Sequence, residues 1–158
     1  MSAHYNIDMR ILIQECLKGS VSIDNEVVGS IEEGEVIFVG FTAGDDERIV
    51  DRMLDKLWKL RIFKDAAGKT NLNLEQHGGR ILCISQFTLY ADVSQGNRPS
   101  FVYALGGRMS EPLYDYFCNK LLERMPAAQF GRFGADMKVS LINDGPFTIL
   151  LDSKEIFK

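Results

Sequence analysis

The chain of 158 residues has few of the side chains on which most catalytic and metal-binding motifs depend. It contains only two histidines and three cysteines, and these form no H-E-x-x-H, C-x-x-C or mixed Cys/His pattern, so no metal site is expected. His77 precedes two glycines in a predicted turn, where a solvated histidine is more common than a catalytic one. Cys16, Cys83 and Cys118 each lie in an apolar segment and are interpreted as reduced core thiols.

An excess of basic charge and a long apolar run are also absent. Lysine and arginine number 18 against 22 aspartates and glutamates, which gives a net charge of −4. No general positive field therefore draws the chain to nucleic acid, and an RNA partner must meet a local patch. No segment approaches the roughly 18 apolar residues of a membrane span, and the N-terminus lacks the apolar region of a signal peptide. We expect a cytoplasmic protein with no membrane contact.

What is present is the composition of one ordinary globular domain. Hydrophobic residues make up 46% of the chain and charged residues 25%, and the length falls in the range of about 100 to 200 residues that is typical of single domains. Residues 1–8 are polar and unpatterned and are predicted to form a flexible N-terminal extension. Residues 9–158 are predicted to form a single domain.

Apolar spacing predicts two main helices. Between Asp45 and Lys59 the apolar residues recur at helical intervals, and Asp45 is the predicted N-cap. A second helix is predicted to begin at 110–112 and to continue through Leu122.

Runs of β-favouring residues predict more strands than helices. They lie at 10–16, 21–23, 27–28, 36–39, 61–63, 81–90, 137–142 and 147–151. Asp24 and Asn25 tolerate the positive φ angles of a tight hairpin between 21–23 and 27–28, and with the run at 36–39 these segments are predicted to form a three-strand meander. The expected fold class is α+β.

The strand predicted at 81–90 carries polar residues where a core strand usually has none. Ser85, Gln86, Phe87 and Thr88 could present main-chain N–H donors and polar side chains to one small pocket, with Gln86 and Thr88 on the same face of the strand. The alternative is that Thr88 is simply a β-favouring residue.

A second polar segment, 143–148, contains Gly145 and Pro146 at the start of a strand. Glycine removes a side chain and proline removes a donor, so two carbonyl oxygens are left unusually exposed. An X-Pro bond can also be cis, which is uncommon in folded proteins. A plain type I or type II turn is the alternative.

Four separated motifs carry a resemblance to a known family: SQFTLYAD at 85–92, RPSF at 98–101, GRFGADM at 131–137 and NDGP at 143–146. In this order they resemble the bacterial D-aminoacyl-tRNA deacylases, and the resemblance extends from Met9 to about Ser153. It implies a compact β-barrel-like α+β fold that works as a homodimer. It also implies hydrolysis of the ester between a D-amino acid, or glycine, and the terminal ribose of tRNA, with neither a metal nor an organic cofactor.

The resemblance also implies roles for particular residues. Ser85, Gln86, Phe87 and Thr88 would form the catalytic segment, with main-chain N–H groups near Phe87 and Thr88 holding the oxyanion and the ribose 2′-hydroxyl assisting the attack of water. Substrate-pocket residues would be Ala104, Phe133 and Met137. Gly145 and Pro146, joined by a cis bond, would enter the partner subunit's active site, where their carbonyl oxygens would exclude an L side chain.

One position departs from the family pattern. Glu15 stands where the family usually has an arginine, which is thought to hold the partner's Gly-Pro loop. A related animal group that also lacks the arginine has a trans bond and acts on L-alanyl-tRNA, and this activity is one alternative. The other alternative is a non-catalytic barrel that binds aminoacyl-tRNA or a small ligand. We expect a cis bond at Gly145–Pro146, with Arg132 as the cation that steadies the loop or neutralises Glu15.

Overall fold

The computed structural model describes residues 8–158, and its central element is the long strand β1, Arg10–Ile23. The first half of β1 pairs with β3, Gly34–Gly40, and its second half pairs with β2, Glu26–Ile31. The opposite edge of β1 pairs along nearly its whole length with β8, Lys138–Asp152. The predicted meander is therefore wrong, because β3 pairs with the first half of β1 and not with β2.

The rest of the main sheet continues from β3 and curls towards closure. Parallel pairing joins β3 to β6, Arg80–Ser85, and β6 to β7, Gln129–Phe130. The sheet bends until β2 approaches β7, since a Cβ on Gly29 would lie only 3.0 Å from the Phe130 carbonyl oxygen. This nearly closed sheet with helices outside it confirms the predicted barrel-like α+β fold. A separate hairpin is formed by two short strands, β4 (Phe63–Lys64) and β5 (Thr70–Leu72).

Two long helices cover one face of the sheet, as predicted, although each begins elsewhere. Helix α1 is Glu47–Lys59, and Asp46 is its N-cap because its carboxylate accepts a hydrogen bond from the Ile49 amide at 3.0 Å. Asp45, the predicted cap, instead accepts from the main chain of Asp8 and Thr42. The other helices are α2 (Leu74–His77), α3 (Gly107–Arg124) and α4 (Ser153–Ile156).

Helix α3 begins one turn before the predicted start. Gly106 is its N-cap, so Pro112 lies inside the helix rather than at its first position. Helices α1 and α3 bury their apolar faces against β1, β3 and β6 in one core, which includes Phe117 and Leu54. A smaller cluster fills the other side of the sheet around Val36 and Leu82.

Several smaller predictions can be compared with the described residues. Asp24 and Asn25 have φ angles of 49° and 66°, which confirms the tight hairpin. All three cysteines are free thiols; Cys16 and Cys83 are buried and Cys118 is half-buried. Of the predicted N-terminal extension, residues 1–7 lie outside the described residues. No helix within 8–158 is long and apolar enough to cross a membrane.

Candidate active site

The polar segment that follows β6 is a tight turn rather than a continued strand. β6 ends at Ser85, and Phe87–Tyr90 forms a single 3₁₀ turn with Gln86 at its N-terminal boundary. The strand predicted at 81–90 is therefore wrong beyond Ser85. The main-chain N–H groups of Phe87 and Thr88 open this turn, and a helix has no internal acceptor for its first N–H groups. They are available to a ligand.

Neighbouring main chain fixes this turn in place. The Gln86 N–H donates to the Val39 carbonyl oxygen at 2.8 Å. Gly40 lies directly beneath the turn, since a Cβ there would be 2.8 Å from the Gln86 carbonyl oxygen and 2.9 Å from the Tyr90 ring. The buried Tyr90 hydroxyl donates to the Gly40 carbonyl oxygen at 3.1 Å. Because these contacts involve main chain, the position of the turn depends on the whole sheet.

A cavity of about 520 Å³ lies above the turn. Its volume suits a small ligand, and its wall is mostly apolar with a few polar groups, as small-molecule sites usually are. Ser85, Gln86 and Phe87 line it, together with the predicted pocket residues Ala104, Phe133 and Met137. The structure thus brings these six predicted residues to one cavity. Thr88, which was predicted with them, is not among the residues that line it.

Thr88 is joined to the cavity through Gln86. The Gln86 side-chain amide Nε2 donates a hydrogen bond to the Thr88 hydroxyl oxygen. An amide N–H group cannot remove a proton, so this contact orients the hydroxyl without activating it as a nucleophile. The geometry favours a positioning role for Thr88.

Two elements contribute to the cavity wall without having been predicted. The loop before α3 provides Phe101 and Gly106, and the first turns of α3 provide Gly107, Ser110 and Tyr114. Ser110 and Tyr114 are four residues apart, so they share one helix face, and that spacing was readable from the sequence. Which cavity this face meets depends on the tertiary packing.

The titratable side chains that line the cavity are those of Tyr114 and Asp136. The Tyr114 hydroxyl donates to the Cys83 carbonyl oxygen at 3.4 Å, and burial raises the pKa of Tyr114 far above its ordinary value. Asp136 is exposed and forms an ion pair with Lys138 at 2.9 Å. Within 8–158, the residues that line this cavity include no histidine, lysine or arginine, and no group of three or more His, Cys, Asp or Glu is arranged to hold a metal ion.

The Gly145–Pro146 segment lies elsewhere in the subunit. Its peptide bond is cis, as predicted, and both residues are exposed. Neither lines the 520 Å³ cavity. A single subunit therefore does not bring Gly145 and Pro146 to the segment 85–88.

Asn143 closes the base of this exposed segment. Its side-chain oxygen accepts from the Phe147 N–H at 2.9 Å, and its Nδ2 donates to the Thr148 hydroxyl at 2.9 Å. On β1, Glu15 is half-buried beside the segment, and burial together with the Asp144 charge raises the pKa of Glu15 to about 7. The cation that acts on Glu15 is Lys64 rather than Arg132. A role of Arg132 in steadying a partner's Gly-Pro loop stays a prediction.

His77, which was interpreted as a solvated turn residue rather than a catalytic one, packs against neighbouring side chains. Its ring stacks on Phe63 with 4.4 Å between centroids, and its Nε2 lies 3.6 Å from a Glu33 carboxylate oxygen. It ends helix α2 and is not among the residues that line the 520 Å³ cavity.

Fold and cavity together define an α+β barrel protein whose site is built from main-chain donors, an amide and hydroxyls. The family model described as D-Tyr-tRNA(Tyr) deacylase matches residues 12–152. A D-aminoacyl-tRNA deacylase of Lactobacillus delbrueckii subsp. bulgaricus is 51% identical over 144 residues, covering 91% of this chain and 99% of that protein. A protein of the same name from Listeria innocua is 46% identical over 150 residues, covering 95% and 100%. The chain belongs to the D-Tyr-tRNA(Tyr) deacylase family, whose members are hydrolases that act on ester bonds.

Two solved structures share this fold. The c-Myc DNA Unwinding Element Binding Protein superposes with a TM-score of 0.85 at 33% identity, over 90% of this chain and 97% of that one. A probable eukaryotic D-amino acid tRNA deacylase gives a TM-score of 0.81 over 92% of this chain and 100% of that one, but at 19% identity it supports the fold alone. The family predicted from the four motifs is confirmed.

Proposed function

We propose that this protein hydrolyses the ester that joins a D-amino acid, or glycine, to the 3′ end of tRNA. The observation that carries the proposal is the cavity formed on the turn at 85–88, which combines free main-chain N–H groups with a mostly apolar wall. An aminoacyl ester is already activated, so the site must mainly hold the carbonyl group and supply donors where the oxyanion forms. One such donor is typically worth about 10²- to 10³-fold in rate.

In this mechanism the residues around the turn each have a limited task. The amides of Phe87 and Thr88 donate to the developing oxyanion. Gln86 and the Thr88 hydroxyl align the ester, and the 2′-hydroxyl of the terminal ribose assists the attack of water. Ala104, Phe133 and Met137 surround the amino acid. This mechanism has no covalent intermediate on Thr88, because the hydrogen bond from Gln86 does not activate the hydroxyl as a nucleophile.

Rejection of L-amino acids is assigned to Gly145 and Pro146 of a second subunit. Both residues are exposed and lie outside their own subunit's cavity, so only another copy of the chain could bring them to a cavity of this kind. Their carbonyl oxygens would collide with an L side chain, whereas a D side chain points away and glycine has none. The working unit is accordingly a homodimer, and the site distinguishes handedness rather than side-chain identity.

The direct test compares three substrates on the purified protein. We expect deacylation of D-Tyr-tRNA and Gly-tRNA, with L-Tyr-tRNA left intact and with no effect of EDTA. Equal hydrolysis of the D and L esters would contradict the proposal, and so would complete inhibition by the chelator. Preferential hydrolysis of L-alanyl-tRNA would favour the alternative activity, and binding without turnover would favour the non-catalytic barrel.

A mixed dimer tests the cross-subunit arrangement. One subunit carries Gln86→Ala and Thr88→Ala, and the other carries Gly145→Ala. In this mixed dimer the intact pocket faces the intact loop of its neighbour, so we expect L-Tyr-tRNA to be spared, whereas the Gly145→Ala homodimer should hydrolyse it. Loss of L rejection in the mixed dimer as well would refute the exchange of loops between subunits.

A further inference from the structure

The exposed Gly-Pro segment is a bulge in β8 that lies opposite a single residue of β1. Gln14 pairs with Thr148, and Cys16 pairs with Asn143. Between these pairs, four residues of β8 (144–147) face only Glu15 on β1. Bulges of this kind redirect a strand and its side chains. Glu15 is therefore the residue of β1 that lies opposite this bulge.

Glu15 is paired with a second carboxyl group on its other side. In the register of β1 with β3, Glu15 stands directly opposite Glu35. Glu35 is only 1% exposed, and its Oε1 is buried without a hydrogen-bond partner among residues 8–158. Like charges directly opposite on neighbouring strands are destabilising, and an unpaired buried carboxylate is more so. Two full negative charges on Glu15 and Glu35 would therefore destabilise the folded state.

The surroundings add more negative than positive charge. Glu15 lines a cavity of about 120 Å³ beneath the bulge, together with Gly145 and Phe147. The charged and titratable groups that face this cavity come from five elements or turns: Cys16, Glu33, Lys64, His77 and Asp144. His77 lies beside Glu33, so Lys64 is the cation that acts on Glu15. Asp144, at the base of the bulge, repels it.

These contacts favour protonated carboxyl groups near neutral pH. Burial first, and then Asp144, raises the pKa of Glu15 to about 7, while Lys64 lowers it. Burial and the charge of Glu15 raise the pKa of Glu35 to about 8. Burial also raises the pKa of the Cys16 thiol to about 11, so Cys16 stays neutral over the same range.

We propose that Glu15 is a positioning residue for the L-rejecting bulge, and that the bulge keeps its position only while the Glu15–Glu35 pair retains a proton. Loss of that proton places a negative charge against Asp144 and pushes the base of the bulge away from β1. The expected loss of selectivity between D and L esters rests on the proposed function. The expected movement of the bulge does not depend on that function.

Two measurements test the proposal on the intact protein between about pH 6 and about pH 9. The first is the amide chemical shift of Gly145, followed by NMR. The second is the ratio of D-Tyr-tRNA to L-Tyr-tRNA hydrolysis, corrected for uncatalysed hydrolysis at each pH. The variants are Glu15→Gln and Glu35→Gln, which keep the shape of a neutral carboxyl group. Glu32→Gln, at an exposed position before β3, is the matched control, and thermal melting shows that each variant is folded.

In the unmodified protein and in Glu32→Gln, we expect the Gly145 shift to titrate and the D/L ratio to fall by about tenfold as the pH rises, which corresponds to about one pKa unit of coupling. Glu15→Gln should show a flat Gly145 shift and a ratio that stays high. Glu35→Gln leaves Glu15 to titrate alone, so both transitions should move to lower pH than in the unmodified protein.

A Gly145 shift that does not titrate, or that titrates alike in Glu35→Gln and the unmodified protein, overturns the proposal. A titrating shift with a constant ratio also overturns it, because Glu15 then positions nothing that selectivity uses. Absence of D preference at every pH would refute the proposed function instead, while the Gly145 shift would still decide whether the pair positions the bulge.

Discussion

The turn at 85–88 and the bulge at 144–147 are both short polar segments that follow or interrupt a strand, yet they are held in different ways. The turn rests on main chain, with Gly40 beneath it and a hydrogen bond from Gln86 to Val39. The bulge is exposed and is held at its base by Asn143 above the Glu15–Glu35 pair. Packing therefore fixes the turn, whereas local hydrogen bonds and charge fix the bulge.

This difference separates two properties of the proposed site. A rigid floor suits the alignment of an ester with its oxyanion donors, since catalytic geometry tolerates little displacement. An exposed bulge suits insertion into a second subunit. Changes under the turn should therefore affect the rate with both D and L esters, and changes in the bulge should affect the choice between them.

Gly40→Ala should have the largest effect. Its Cβ would lie 2.8 Å from the Gln86 carbonyl oxygen, so the turn must move, and we expect the D-Tyr-tRNA rate to fall by about 10²-fold. Overpacking of this kind also destabilises by about 1 to 3 kcal/mol. Single-turnover kinetics and thermal melting measure both effects. Gly19→Ala is the control, because a Cβ there would lie 2.8 Å from the Val36 side chain, while Gly19 does not line the cavity. Equal rates for the two variants would show that general overpacking, and not displacement of the turn, lowers the rate.

Gly145→Ala should change selectivity rather than rate. Gly145 has a φ angle of 136°, and a Cβ there would be 2.9 Å from the Phe147 nitrogen, so alanine should displace the bulge. We expect hydrolysis of L-Tyr-tRNA relative to D-Tyr-tRNA to rise by about thirtyfold, equivalent to about 2 kcal/mol.

Gly68→Ala separates backbone strain from displacement of the bulge. Gly68 also has a positive φ angle, 79°, but a Cβ there meets no atom within 4 Å. The Gly68→Ala variant should keep the original D/L ratio. If it loses selectivity as Gly145→Ala does, general destabilisation rather than the bulge is the cause.

Thr88→Ala should reduce the D-Tyr-tRNA rate by about tenfold without abolishing it, because main-chain donors would still hold the oxyanion. Thr88→Ser keeps the hydroxyl that receives the Gln86 hydrogen bond and should retain most of the activity. Single-turnover rates distinguish the variants. Trapping of an acyl group on Thr88 would contradict the non-covalent mechanism.

Glu35→Gln should have the smallest effect, a rise of a few degrees in melting temperature at about pH 8. The pKa of Glu35 is raised from 4.5 to about 8 in the folded protein, so the folded state holds a proton that the unfolded state has lost between these values. Stability therefore falls as the pH rises through this window. The gain from Gln should vanish near pH 4.5. A gain that is independent of pH would contradict this account, and Glu32→Gln should show none.

Much of the local structure could be predicted from the sequence. Helix α1 has a continuous apolar face, and the Asp24-Asn25 hairpin depends only on residues that tolerate positive φ. The helix and the hairpin depend on residue type and short spacing, which the sequence shows directly. The cis bond at Gly145–Pro146 and the barrel-like fold were instead implied by the family resemblance that the four motifs carry.

The errors occurred where distant segments decide the outcome. The apolar run after Ser85 reads as strand, but it lies past the end of its partner β3, where pairing has no further support. Arg132 was one predicted cation for Glu15, whereas the hairpin of β4 and β5 brings Lys64 to it. Ser110 and Tyr114 could be assigned to one helix face but not to a cavity.

By itself, the sequence determined the fold class, the family and the two polar segments, because motif order and apolar periodicity are properties of the chain. Only the tertiary structure decided that the segment 85–88 forms the floor of a cavity while Gly145 and Pro146 lie outside it, and that Glu15 faces Glu35. The physical reason is that strand register and sheet closure bring together residues far apart in the chain, and burial then changes how their charges behave.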